Sequence, residues 1–227
     1  MQESIAVWSD PRVWISIVAA TGTMGAVIVA LFLRELRAII RPPKLHVELA
    51  RENGLPITAH LIPPGQVVPA ELAPEKSRYY HLKVSNPRRK ADAVNGVSVT
   101  LLHVERRGQD GQYHSTWKGD VPMVWRNELP DSNGEKKIVG TWAESDLCSV
   151  ARDKSLTLHV KIRPNDLQWR YAVDETMPVD LIVTVQARGN EADSDERKLR
   201  VFWDGHWEDG DLEMRRHFHV THLLVNS

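Results

Sequence analysis

Residues 13–33, VWISIVAATGTMGAVIVALFL, hold no charged side chain and are flanked by Arg12 and Arg34. A helix rising about 1.5 Å per residue covers about 30 Å over that stretch, the hydrocarbon thickness of a bilayer. Charge is expensive at that depth, so the run predicts a transmembrane α-helix. A buried helix of a water-exposed domain usually keeps a polar stripe, which this run lacks. A cleavable leader has a shorter apolar region and a more basic start than residues 1–12, where Arg12 stands with Glu3 and Asp10. The sequence thus divides into a short extracytoplasmic N-terminus (1–12), the span (13–33), a helical extension stopped by Pro42 and Pro43 (34–43), and a large domain (44–227).

The flanks set the expected orientation. Arg12 precedes the run, whereas Arg34, Arg37, Arg41 and Lys44 follow it. Cytoplasmic flanks collect cations, so the sequence predicts a single-pass protein of the cell inner membrane, N-terminus out and C-terminal domain cytoplasmic. Trp8 and Trp14 then fall near the outer headgroups, and Arg34, Arg37 and Arg41 at the inner leaflet. A lone cysteine, Cys148, forms no intrachain disulfide and agrees with a reducing compartment. Within the span, Ala19, Gly22, Ala26 and Ala30 share one face. They read either as a seam for a second copy or another subunit, or as the ordinary small-residue content of membrane helices.

From residue 44 onward the apolar period is two. Leu45, Val47 and Leu49 alternate with polar neighbours, as do Tyr80, Leu82 and Val84, and Val97, Val99 and Leu101. Residues 156–162, 179–187, 199–203 and 218–224 repeat the pattern, which marks half-buried strands separated by Asn, Asp, Gly and Pro turns. Such a series predicts an antiparallel sandwich. Residues 54–76 carry five prolines and predict an extended loop or edge segment. Residues 112–150 predict an irregular crossover with Trp117, Trp125 and Trp142 packed inward. A net charge of −1, with 26% charged residues, argues against nucleic-acid binding.

The segment RYYHLKVSNP (78–87) followed by AVNGVSVTL (93–101) resembles a strand pair in prokaryotic single-pass membrane-anchored proteins of unknown function. Trp125, the 138–147 stretch and the 179–203 hairpin follow in similar order. The resemblance spans most of residues 44–210 and implies an immunoglobulin-like β-sandwich. It brings no catalytic residue with it.

Among polar clusters, the loop 204–211 places Asp204, Glu208, Asp209 and Asp211 around two glycines, and oxygen-rich loops of this kind hold Ca²⁺. It departs from the helix–loop–helix calcium pattern, and a solvated turn is the plainer reading. His217, His219 and His222 on one strand do not converge, because 222 faces away from the other two. No G-x-S-x-G turn, phosphate loop or H-E-x-x-H helix is present, so no catalytic residue and no cofactor is assigned. The expected function is a membrane-anchored, non-catalytic interaction or scaffold module. Its expected partners are the lipid bilayer, an unidentified protein and, through the helix seam, another copy of itself. A ligand or Ca²⁺ sensor using the 204–211 loop, and a hydrolase with an unrecognised site, are the alternatives.

Overall fold

The computed structural model describes residues 11–40, 42–59, 75–87, 93–126, 137–152, 155–174 and 177–223. The chain forms two compact units, 1–42 and 43–227. The described residues of the first form a helix, α1 (Pro11–Ile40), followed by Pro42. Within it, Ser16 Oγ donates to Arg12 O at 2.9 Å and Thr23 Oγ1 to Ala19 O at 2.8 Å, so both hydroxyls are satisfied by their own helix. Trp14 is 53% exposed, and Ala19, Gly22 and Ala26 are also exposed. Among the described residues no helix is long and apolar enough to cross a membrane. Side chains at 13, 17, 28 and 30–40 lie outside the described residues, so the apolar run is described only in part. Ala30, Arg34 and Arg37 fall in that group, and Trp8 and Arg41 lie outside the described residues altogether.

The second unit is mainly antiparallel β, with two sheets packed as a sandwich. One sheet holds β1 (His46–Leu49), β2 (Leu55–Ala59), β3 (Glu75–Ser85), β7 (Trp142–Ala151), β8 (Leu156–Leu158) and β9 (Arg170–Tyr171), in the order β1-β3-β7-β8-β9 with β2 also on β3. The other holds β4 (Val94–Arg107), β5 (Tyr113–Pro122), β6 (Lys137–Val139), β10 (Val179–Arg188), β11 (Arg197–Trp203) and β12 (Phe218–His222), in the order β12-β11-β10-β4-β5 with β6 on β4. A short helix, α2 (Asp211–His217), joins β11 to β12.

Period-two residues fill the space between the sheets. Tyr80, Leu82 and Val84 face Val179, Leu181, Val183, Val185, Leu199 and Val201, all fully buried. At about 25 cal/mol per Å² of apolar surface removed from water, this core is the main favourable contribution to folding.

Two sequence expectations change. The 78–101 segment is not a paired unit: β3 and β4 lie in different sheets, and the chain crosses between them. Residues 112–150 are not an irregular crossover. They contain β5 and β7, each ten residues long, and Trp142 is 57% exposed whereas Trp117 and Trp125 are buried. The proline-rich 54–76 stretch agrees with the edge-segment reading where it is described: it begins as β2, paired with β3 from Leu55↔Tyr79 to Ala59↔Glu75, and residues 60–74 lie outside the described residues. Pro56 is tolerated there because β2 lies at the margin of the sheet.

Candidate functional site

Two polar constellations lie toward one end of the sandwich. The first is a groove of about 550 Å³ on the outer face of the β3–β7–β8 sheet. With Tyr80, Leu82 and Val84 turned inward, Ser77, Tyr79 and His81 point outward. Ser149 of β7 and Thr157 of β8 continue that face, and the segment after β8 supplies His159, Arg163 and Trp169. Ser149 Oγ lies 2.8 Å from His159 Nε2. The Tyr79 ring stacks against both His159, at 5.4 Å between centroids, and His81, at 6.0 Å. Burial holds the His159 imidazole below its ordinary pKa; Asp146 opposes this, and His81 and Arg163 add to it. His159 is therefore neutral at pH 7, and Arg163 and Arg170 supply the positive charge. Both guanidiniums stand over the Trp169 ring, their central carbons 3.9 and 4.4 Å from its centroid. A guanidinium held by its flat face keeps its N–H donors in the edge plane, where they fit a carboxylate or phosphate.

This groove has a serine and a histidine in contact, but not the arrangement of a nucleophile with an oriented base. The nearby carboxylate, Asp146, bonds His81 Nδ1 at 2.8 Å rather than His159. Ser149 is also 8% exposed, which leaves its hydroxyl little access to a substrate carbonyl.

The second constellation is the 204–217 connection. Trp203 pairs with Phe218, and Asp204 N donates to His217 O at 3.2 Å, so the connection closes at its base. Gly205 turns the chain at φ +90°, a conformation costly for residues with a Cβ, and Val173 packs where one would sit. The four carboxylates named from sequence do not face a common point. Asp209 pairs with Lys76 at 2.9 Å and accepts the Trp207 indole N–H at 3.0 Å. Asp211 pairs with Arg78 at 2.7 Å. Arg78 is 2% exposed and also donates to Asn53 O at 2.8 Å, so this pair ties α2 to β3. Asp204 and Glu208 instead turn toward histidines, Asp204 to His217 and Glu208 to His206. Of the C-terminal histidines, His222 Nε2 accepts the Leu49 N–H at 3.2 Å and His219 stacks on Phe202. Burial holds the pKa of both below the usual imidazole value.

Sequence reasoning missed the groove because its residues come from separate strands and one connecting segment. It missed α2 despite a usable signal: Asp211 and Glu213 stand in the first turn, and Arg215, Arg216 and His217 in the last, matching the helix dipole.

Comparison with protein-family models, curated proteins and solved structures found no match to this chain.

Proposed function

We propose that the chain is a membrane-tethered, non-catalytic binding module whose groove takes an acidic or phosphorylated segment of a partner protein. The carrying observation is the pair of arginines stacked on Trp169 at the mouth of a hydroxyl-lined groove. Among the described lining residues there is no carboxylate to oppose an anion.

The tether reading rests on the uncharged run 13–33, the arginines that follow it, and the continuous 30-residue helix that contains it. In this reading the N-terminus is out, the sandwich is on the cytoplasmic side of the inner membrane, and the two-sheet architecture is of the immunoglobulin-like kind. The exposed face of Ala19, Gly22 and Ala26 allows close approach of a second helix.

The test is fluorescence polarisation of the full chain in nanodiscs against acidic and phosphorylated peptide libraries. Binding is expected to weaken at least tenfold, about 1.4 kcal/mol, in Arg163→Ala/Arg170→Ala. It should also fall with added salt. Peptide binding that is indifferent to both arginines would refute the groove as the recognition surface.

A further inference from the structure

We infer that the 204–217 connection is a binding site for a divalent transition cation of the Zn²⁺ class. Ligand-capable atoms of His206, Glu208 and His217 all lie within 4.8 Å of one another. Two imidazoles and one carboxylate form a donor set that suits zinc, with ligand distances of about 2.0–2.2 Å and a tetrahedral arrangement. His206 and Glu208 are 60% and 44% exposed, which leaves their side chains room to turn toward one ion.

Independent support comes from the partner of His217. Its Nδ1 is 2.8 Å from Asp204 Oδ2, so the carboxylate holds the Nδ1 proton and leaves Nε2 as the lone-pair nitrogen. A carboxylate behind a histidine is the usual way a metal-binding imidazole is fixed in tautomer and direction. Asp204 also accepts the backbone N–H of His206 through Oδ1 at 2.9 Å, so one side chain orients both histidine-bearing segments. The imidazoles of His206 and His217 lie 4.5 Å apart between centroids, inclined at 59°.

The same geometry argues against calcium. Asp209 and Asp211 are committed to Lys76 and Arg78, which removes two of the four carboxylates that the sequence pattern offers. Calcium needs six to eight oxygen donors, whereas a nitrogen-rich triad with one position open to solvent fits zinc. This inference does not depend on the groove reading, because none of the metal-binding residues lines the groove.

The experiment is a Zn²⁺ titration of the untagged, chelator-stripped full chain, read by competition with a chromophoric chelator, with Ca²⁺ titrated in parallel. One zinc should bind per chain and calcium should not compete for it. His206→Ala at an exposed position and Glu208→Gln at a half-buried one should each weaken zinc binding at least tenfold while the circular dichroism spectrum is unchanged. Asp204→Asn should weaken it 10- to 100-fold by releasing His217. Absence of zinc binding, or zinc binding unchanged in His206→Ala, would overturn the proposal.

Discussion

Replacing Asp180 with alanine is expected to lower the stability of the sandwich by about 3 kcal/mol, and Tm by about 6–12 °C for a domain of this size. The side chain is 2% exposed although it lies on the outer face of its sheet. Arg200, diagonal to it on β11, donates from Nε at 2.8 Å and from a terminal nitrogen at 2.7 Å. The Tyr113 hydroxyl of edge strand β5 donates at 2.8 Å, and Arg107 of β4 stands at 3.6 Å. One carboxylate thus joins four strands: β10, β11, β5 and β4.

Burial alone pushes this carboxyl upward, but the bonds from Arg200 and Tyr113 and the charge of Arg107 outweigh it. Its pKa therefore lies below the ordinary value. A depressed carboxyl stabilises the fold above its unfolded pKa of about 3.9, and that contribution is lost as pH falls through the lower folded value. Urea unfolding of residues 43–227 should show a gap between the native protein and Asp180→Ala that is constant from pH 5 to 7. The gap should shrink below about pH 4. The expected cost sits at the lower end for a broken buried pair because Arg200 and Arg107 keep 34% and 49% side-chain exposure and reach water when the partner is removed.

Trp203→Ala should cost about 3–5 kcal/mol, the range for emptying a large aromatic site. Trp203 is fully buried at the end of β11 and meets Phe218 edge-on at 5.9 Å. Phe218 in turn meets Tyr80 of the opposite sheet at 5.0 Å, and the Tyr80 hydroxyl donates to Phe218 O at 3.3 Å. This aromatic column clamps the two sheets at the base of the 204–217 connection. Trp203→Phe should be much milder, about 1–2 kcal/mol. The indole N–H has no hydrogen-bond partner among the described residues, so phenylalanine removes an unsatisfied donor while keeping the ring contact. Equal losses in the two variants would show that the N–H, rather than packing, holds this corner. Hydrogen exchange in residues 204–217 should accelerate in the alanine variant and change little in the phenylalanine one.

The strands that were legible in the sequence are those with one face turned to the core. Val179, Leu181, Val183 and Val185 alternate, and all four are fully buried. β5 was hidden because it is an edge strand. Only Trp117 and Val121 are buried in it, four residues apart, so no period of two is present to read. β7 was hidden by an irregularity. Its register with β3 shifts between Tyr80 and His81, which leaves Leu147 and Cys148 buried side by side. The acidic loop was visible as a cluster, but its donor set was not. Lys76 and Arg78 draw two carboxylates away, and α2 carries His217 back to His206, a distant pairing that spacing alone does not reveal.

The membrane tether is the central claim of the proposed function, and alkaline carbonate extraction tests it most directly. Membranes from cells expressing the full chain should keep it in the pellet at high pH, while a chain beginning at Pro43 should appear in the supernatant. Release of the full chain into the supernatant would contradict a helix that spans the bilayer.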